Sequence, residues 1–371
     1  MAYKGYTQMN YRPKNDIVCT FRIEPATRQA REAVAAESSI GTWKEVATMT
    51  PRIRKMGAKI FWVKGNNFKI AYPSVLFEPG NMPQILSSVA GNIFGMKAVN
   101  NLRLEDIDFP RSIEKSFPGP KYGMKGVRKK LKIRKRPLVG TIIKPKLGLS
   151  SSAHAKVAYE AWSGGIDIVK DDENLASQSF NRFEDRVRKT LKMRKKAEKE
   201  AGEKKAYMPN VTAETKEMLR RAHFVKKNGG RYIMVDIMTV GWAGVQTLRN
   251  EDLGMIMHAH RAMHAAFTRN PKHGISMVVE AKIAKLVGVD QLHVGTVVGK
   301  MAEKKEEFLR IVDATRPVFP VCSGGLHPGL IRPLVKMVGK DIIIQAGGGV
   351  HGYPGGTKKG AAAMRRAVEN L

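Results

Sequence analysis

Apolar and polar positions alternate along residues 16–23 (DIVCTFRI), the period-two pattern of a strand with one buried face. Residues 27–37 are Ala-rich and helical in spacing, and 42–48 followed by 58–74 predict a strand and a hairpin turning at Gly65-Asn66-Asn67. Pro83 to Phe94 sets Ile85, Val89 and Ile93 on one helical stripe, and Lys97 to Phe109 alternates again. Strands with two helices in this order predict an α+β module of the split βαβ, ferredoxin-like kind, spanning residues 1–115. From Pro137 the texture changes to short apolar runs separated by longer helical segments. The runs are 137–143, 166–169, 206–211, 232–237, 255–259, 290–294, 318–322 and 341–346. Eight strands alternating with helices over about 235 residues predict a (β/α)8 TIM barrel within 116–371, so the fold class is α/β with an α+β module in front.

Composition adds two points. With 43% hydrophobic and 26% charged residues, the 371-residue chain has material for a large core, which excludes a disordered polyelectrolyte. Yet 65 Lys+Arg against 33 Asp+Glu leave a net charge of +32, which favours anionic partners. The cations concentrate in two runs, 125–136 (KGVRKKLKIRKR) and 186–205 (RVRKTLKMRKKAEKEAGEKK). The second reads as a helix with its charges in solvent and Val187, Leu191 and the stem of Met193 or Arg194 turned inward. RNA contact is the competing reading of both runs, although aromatics (7%) do not interleave with them to make a stacking platform. Cys19 and Cys322 are too far apart in sequence for a disulfide framework, so a reducing, cytoplasmic location is expected. The N-terminus carries no apolar targeting segment, and no run approaches the roughly 20 apolar residues of a membrane span.

Polar residues cluster just after the apolar runs, at the positions that form the C-terminal mouth of a barrel, where active sites of this fold are built. Lys144 and Lys146 follow the first run at i and i+2 and so share a face. After the second run, Lys170 sits among Asp171, Asp172 and Glu173. Asp172 and Glu173 are hard oxygen donors suited to Mg2+, but a Lys beside them is an odd ligand unless converted to an anion, for instance a carbamate. A salt-bridged loop is the plainer reading. Gly295-Thr296-Val297-Val298-Gly299-Lys300 lacks the spacing and the Ser or Thr of a Walker loop and fits a lid carrying Lys300 over a substrate. Ser323-Gly324-Gly325 and Gly347-Gly348-Gly349 follow the last two runs, where bare backbone N–H groups can cradle phosphates, and two cradles suggest a bisphosphate. The Rossmann reading of the second fails, because no further βαβ unit follows. His258, His260 and His264 offer a zinc pair without a well-spaced third ligand, and His293 is the one distant candidate; anion binding and proton transfer fit these histidines better.

GTIIKPKLGLS (140–150), GGIDIVKDDENLASQSFNRFEDR (164–186), HAHRAMHAAFTRNPKHGIS (258–276), HVGTVVGK (293–300), PVCSGGLHPG (320–329) and QAGGGVHGYPGG (345–356) resemble the large subunit of ribulose-1,5-bisphosphate carboxylase/oxygenase, RuBisCO, as do AAESSIGTW (35–43) and GNIFGMKAVNNLRLED (91–106). The resemblance covers nearly the whole chain, and the segment 260–276 is similar to the archaeal form III enzymes. It implies that Lys170 is carbamylated by activator CO2 and, with Asp172 and Glu173, binds Mg2+, the carbamate taking the C3 proton to form the enediol. It implies acid/base work for Lys144 with Lys146 beside it, and a place for Lys300 over the gaseous substrate and the developing carboxylate. His260 and His293 are expected near the substrate hydroxyls and one phosphate, with Arg261 on that phosphate. Ser323, Gly324, Gly347 and Gly348 are expected on the sugar and the other phosphate. Glu37, Thr42, Trp43 and Asn92 are expected to reach the site of a neighbouring subunit, making the catalytic unit a homodimer or a ring of dimers. The implied reaction is carboxylation of ribulose 1,5-bisphosphate to two 3-phosphoglycerates, with oxygenation by O2 as the side reaction, in AMP salvage. A RuBisCO-like enolase or isomerase on another phosphosugar is the alternative within the family, and an RNA-associated barrel with vestigial catalysis the alternative outside it. The chain departs from the family in the short connection from Lys300 to Ser323, in ending at the helix after the eighth strand, in Val350 where Thr is common, and in its charge.

Overall fold

The computed structural model describes residues 4–42, 44–299 and 304–371. They form two compact units. One runs to Pro118 and includes Met263–Leu286; the other comprises Gly119–Ala262 and Val287–Leu371.

In the first unit β1 (Asp16–Glu24), β2 (Lys59–Lys64), β3 (Asn67–Pro73) and β4 (Asn101–Asp108) form an antiparallel sheet in the order β4-β1-β3-β2, the ferredoxin-like arrangement. The alternation in β1 buries Ile17, Cys19, Phe21 and Ile23 completely, and Phe21 stacks on Phe68 of β3. The crossovers are the helices Arg28–Glu37 and Met82–Val89, capped by the side chains of Thr27 and Asn81. Residues 44–48, expected as a strand, are not one: they are exposed, so no core face pins them, and the chain turns into the helix Pro51–Met56 capped by Thr50. A two-residue strand, Gly274–Ile275, adds in parallel to β4, and buried Arg103 donates to the Thr268 and Asn270 carbonyls at 3.1 and 2.6 Å. Those bonds tie Met263–Leu286 to this unit, an attachment that a two-residue strand leaves no periodicity to announce.

The second unit is a ring of eight parallel strands: Leu138–Ile142, Ile168–Lys170, Ala206–Met208, Tyr232–Asp236, Ile256–His260, Gln291–Gly295, Phe319–Ser323 and Ile343–Gln345. Each pairs with its sequence neighbour and the eighth with the first. Between the third and fourth the ladder shrinks to a bridge at Asn210 and Met234, where Val211 N–H donates to the Met234 carbonyl and Met234 N–H to that of Pro209. The first residues of seven strands, among them Leu138, Ile168, Ala206 and Phe319, pack with Val127 and Leu131 of the helix Gly123–Leu131. That helix therefore stops the N-terminal end of the barrel. Its entry is anchored by the N–H groups of Tyr122 and Gly123 donating to Asp290, just before the sixth strand. Among the described residues no helix is long and apolar enough to cross a membrane.

Candidate active site

The opposite, C-terminal mouth of the barrel collects the polar residues that follow the strands. Lys170 closes the second strand, is fully buried, and donates from Nζ to the Asp171 carbonyl at 2.7 Å, with Glu173 Oε2 at 3.4 Å. Lys144, after the first strand, reaches Asp172 Oδ2 at 2.5 Å, and Lys146 reaches Asn174 Oδ1 at 3.3 Å. The two ammoniums are thus held on separate partners. From the fifth strand, His260 Nδ1 lies 2.7 Å from Asp236 Oδ1 and its Nε2 3.7 Å from Glu173 Oε2. The Ala262 N–H also points at Nδ1, at 3.2 Å, so the ring is held between Asp236 on one side and Glu173 on the other.

A second chain of bonds runs across the mouth. His258 Nδ1 meets Gln291 Oε1 at 2.8 Å, the Nε2 atoms of His258 and His293 are 2.9 Å apart, and His293 Nδ1 lies 2.8 Å from Ser323 Oγ. Because the Gln291 oxygen must accept, His258 donates from Nδ1, His293 donates from Nε2, and Ser323 O–H donates to His293 Nδ1. The Ser323 lone pairs are left for a ligand. Burial first, and the nearby Lys170 charge next, hold His258 down to about 3, and burial with the neighbouring imidazoles holds His293 well below the usual histidine range, so both rings are neutral. Burial pushes the Glu173 carboxyl up, but Lys170 and His260 outweigh it and hold it down to about 2, so it is an anion.

Asp171 points the other way, into the wall. It accepts from Arg186 Nε at 2.9 Å, from Tyr207 OH at 2.8 Å and from Asn210 N–H at 3.1 Å, with His154 Nε2 at 3.0 Å. Burial raises its pKa, and Arg186 and His154 reverse this to a value well below the carboxylate range. Asn210 in turn donates to the carbonyls of Glu173 and Leu175 at 3.1 and 3.2 Å. The loop that presents Asp172 and Glu173 is therefore clamped from behind.

Among the described residues no three His, Cys, Asp or Glu side chains converge on a metal position. Asp172 and Glu173 give two hard donors, and the third group beside them is Lys170 Nζ. That set would fit Mg2+ with Lys170 carrying an anionic oxygen in place of its ammonium. At the seventh strand, Gly324 and Gly325 have φ of +118° and +79°, a conformation that turns their N–H groups where a side chain is disfavoured. At Gly347, after the eighth strand, a Cβ would stand 3.0 Å from Lys144 Cε, so the glycine keeps room beside that amine.

Lys144, Lys170, Asp172, Glu173, His260, His293 and Ser323 are brought together; Arg261 is buried immediately beyond His260, and Gly348 follows Gly347 at the same mouth. Lys300 and Trp43 lie outside the described residues. Glu37, at the end of the helix Arg28–Glu37, and Thr42 and Asn92 belong to the first unit, where Thr42 lines a cavity of about 510 Å³ with Tyr6 and Ile40. His264 also belongs to that unit and bonds Thr268. Sequence reasoning missed Arg186, which it places in a solvated run although the side chain is fully buried, and Gln291 and Tyr207. Gln291 carries a signal: it stands two residues before His293 on the same strand face.

Residues 5–113 match the family described as ribulose bisphosphate carboxylase large chain, N-terminal domain, and residues 123–371 its catalytic domain. The chain is 51% identical to the ribulose bisphosphate carboxylase of Methanocaldococcus jannaschii, covering 99% of this chain and 94% of that one. It is 48% identical to that of Methanosarcina mazei, covering 99% and 93%. Among solved structures it is similar to a sulfate complex of the octameric RuBisCO of Pyrococcus horikoshii OT3, with a TM-score of 0.96 and 47% identity over 100% of this chain and 91% of that one. The dimeric archaeal RuBisCO of Hyperthermus butylicus matches with a TM-score of 0.91 and 44% identity over 98% and 92%.

Proposed function

Since this chain belongs to the ribulose bisphosphate carboxylase large-chain family, we propose that its barrel mouth adds CO2 to the enediol of ribulose 1,5-bisphosphate and, with water, yields two 3-phosphoglycerates, O2 competing for the same enediol. One observation carries the reading: Lys144, Lys170, Asp172, Glu173, His260, His293 and Ser323 come from five strand ends around one mouth, the first five linked by contacts of 2.5 to 3.7 Å, His293 bonded to Ser323 at 2.8 Å, and the two groups joined by the His260 and His293 rings with centroids 4.7 Å apart. Asp172 and Glu173 would hold Mg2+ with Lys170 as its carbamate, formed with activator CO2. The bound ion would polarise the substrate oxygens and favour enolisation.

The chain's own groups do the rest. Lys144 exchanges protons at the reacting carbons, its ammonium steered by Asp172. His260, oriented by Asp236, faces a substrate hydroxyl, while Ser323, donating to His293, accepts from another. Arg261 takes one phosphate, and Gly324, Gly325, Gly347 and Gly348 offer N–H groups to the other, with Lys146 and His293 at the rim. Lys300 is assigned to the developing carboxylate, and Glu37, Thr42, Trp43 and Asn92 to the site of a second copy in a homodimer or ring of dimers. The relatives described as dimeric and octameric support that assembly. A cytoplasmic place in AMP salvage is assigned on the resemblance of residues 260–276 to the archaeal form III enzymes.

The test is incorporation of labelled bicarbonate into acid-stable 3-phosphoglycerate after preincubation with CO2 and Mg2+. Label in product is expected. C3 proton exchange without label would replace the carboxylase by a RuBisCO-like enolase. In Lys300→Ala, exchange should persist while carboxylation is lost.

A further inference from the structure

The two cationic runs meet at the end of the barrel away from the mouth. Residues 131–136 precede the first strand, 202–204 precede the third, and Lys340 precedes the eighth; together with the last helix, Gly356–Glu369, they line a cavity of about 670 Å³. That volume suits a small ligand. Lys340 bonds the Leu371 oxygen at 3.1 Å, and the other cations around the cavity divide into two sets. Arg136 is fixed on Asp167 by bonds of 2.6 and 2.7 Å, and Arg365 on Glu203 at 2.8 Å and Glu369 at 2.5 Å. Glu203 is also bonded by Lys205 at 2.8 Å, so the carboxylates at the rim are already neutralised. Lys132, Arg134, Lys135 and Lys204 have no carboxylate partner among the described residues, and they are exposed or half-buried around the opening. Lys132 holds a left-handed backbone, φ 58°, at the C-cap of the stopper helix, a position where glycine is usual. Leu131, Ile133 and Val368 supply an apolar wall.

Four cations without counter-ions around a pocket, beside a wall of spent carboxylates, call for a compact anion of high charge. We propose that this cavity is a second ligand site, distinct from the mouth, that binds a small molecule carrying a pyrophosphate group. Inorganic pyrophosphate and a nucleoside diphosphate share that chemistry, and the apolar wall gives the nucleoside a place to lie.

The test compares the full chain with R134Q/K135Q/K204Q by titration calorimetry with inorganic pyrophosphate at about 0.1 M salt, where surface charges more than about 10 Å apart are screened. None of the three residues belongs to the catalytic mouth, so carboxylation without the probe should match wild type and serves as the check on folding. The wild type should bind one more pyrophosphate per chain than the variant, or bind it about tenfold or more tighter, with an affinity that falls as salt rises. Repeating the titration with ADP assigns the source: tighter binding than pyrophosphate points to a nucleoside, equal binding to the bare anion. Equal pyrophosphate binding by both proteins overturns the proposal. So does binding of a single-stranded RNA of about 20 nucleotides that the variant loses while its pyrophosphate binding is unchanged, which would make this face a nucleic-acid surface instead.

Discussion

Lys170 is a fully buried amine whose neighbours are a carbonyl and a carboxylate. Replacing it with Ala leaves Asp172 and Glu173 as the only oxygen donors, and Mg2+-dependent carboxylation should fall by about 10³-fold or more while the melting transition persists. Carboxylation kept near wild type in that variant would overturn the metal-site assignment. Lys170, Asp172 and Glu173 are legible in the sequence because they fall within four consecutive residues, which any loop keeps close. His260 and His293 are legible because strand ends of one barrel share one mouth. Arg186 is not, since a cation inside a basic run reads as solvated until the fold sets Asp171 against it. The tautomer chain from Gln291 to Ser323 is equally hidden, because it depends on how side chains from three strands meet across the mouth.

At the scale of elements, apolar runs locate all eight barrel strands, though several are shorter than their runs. The third ends at Met208 because Pro209 has no N–H to give. Of the strand expected at 42–48, residues 44–48 are exposed and offer no buried face, and the stopper helix Gly123–Leu131 is invisible as such, for its cations mask two apolar residues one turn apart. Those two, Val127 and Leu131, carry its attachment to the barrel. Leu131→Ala should cost about 2–5 kcal/mol through lost burial and the cavity left behind. Chemical denaturation should show this as a lower midpoint at unchanged slope, and a loss near zero would mean the helix is not seated on the strand ends.

For the whole molecule, acid acts in one direction. Burial holds His351 down to about 4 and His258 down to about 3, so the unfolded chain takes up protons near pH 6.5 that the folded chain refuses, and stability falls as pH drops below that value. Burial alone would raise Glu203, but Lys205 and Arg365 hold it down to about 2; its contribution is complete above the unfolded carboxylate range and fades as pH falls toward 2. A net charge of +32 that grows as carboxylates protonate adds self-repulsion of the same sign. The melting temperature should therefore be level near pH 7–8 and decline from about pH 6.5 downward, with a smaller early decline in His351→Gln. A maximum near pH 5 would contradict this.

The ring closes between its third and fourth strands on little more than the exchange of bonds around Met234, beside a proline that can donate nothing. A closed band with one short clasp opens at the clasp. In hydrogen–deuterium exchange the amides of Val211 and Met234 should trade their protons ahead of those in the first and second strands, whose ladders are continuous on both sides. Asn210, on that clasp, also grips the backbone of Glu173. Each brief opening should then loosen the loop bearing the two carboxylates, so the easiest breathing of the scaffold and the readiness of the mouth keep the same clock.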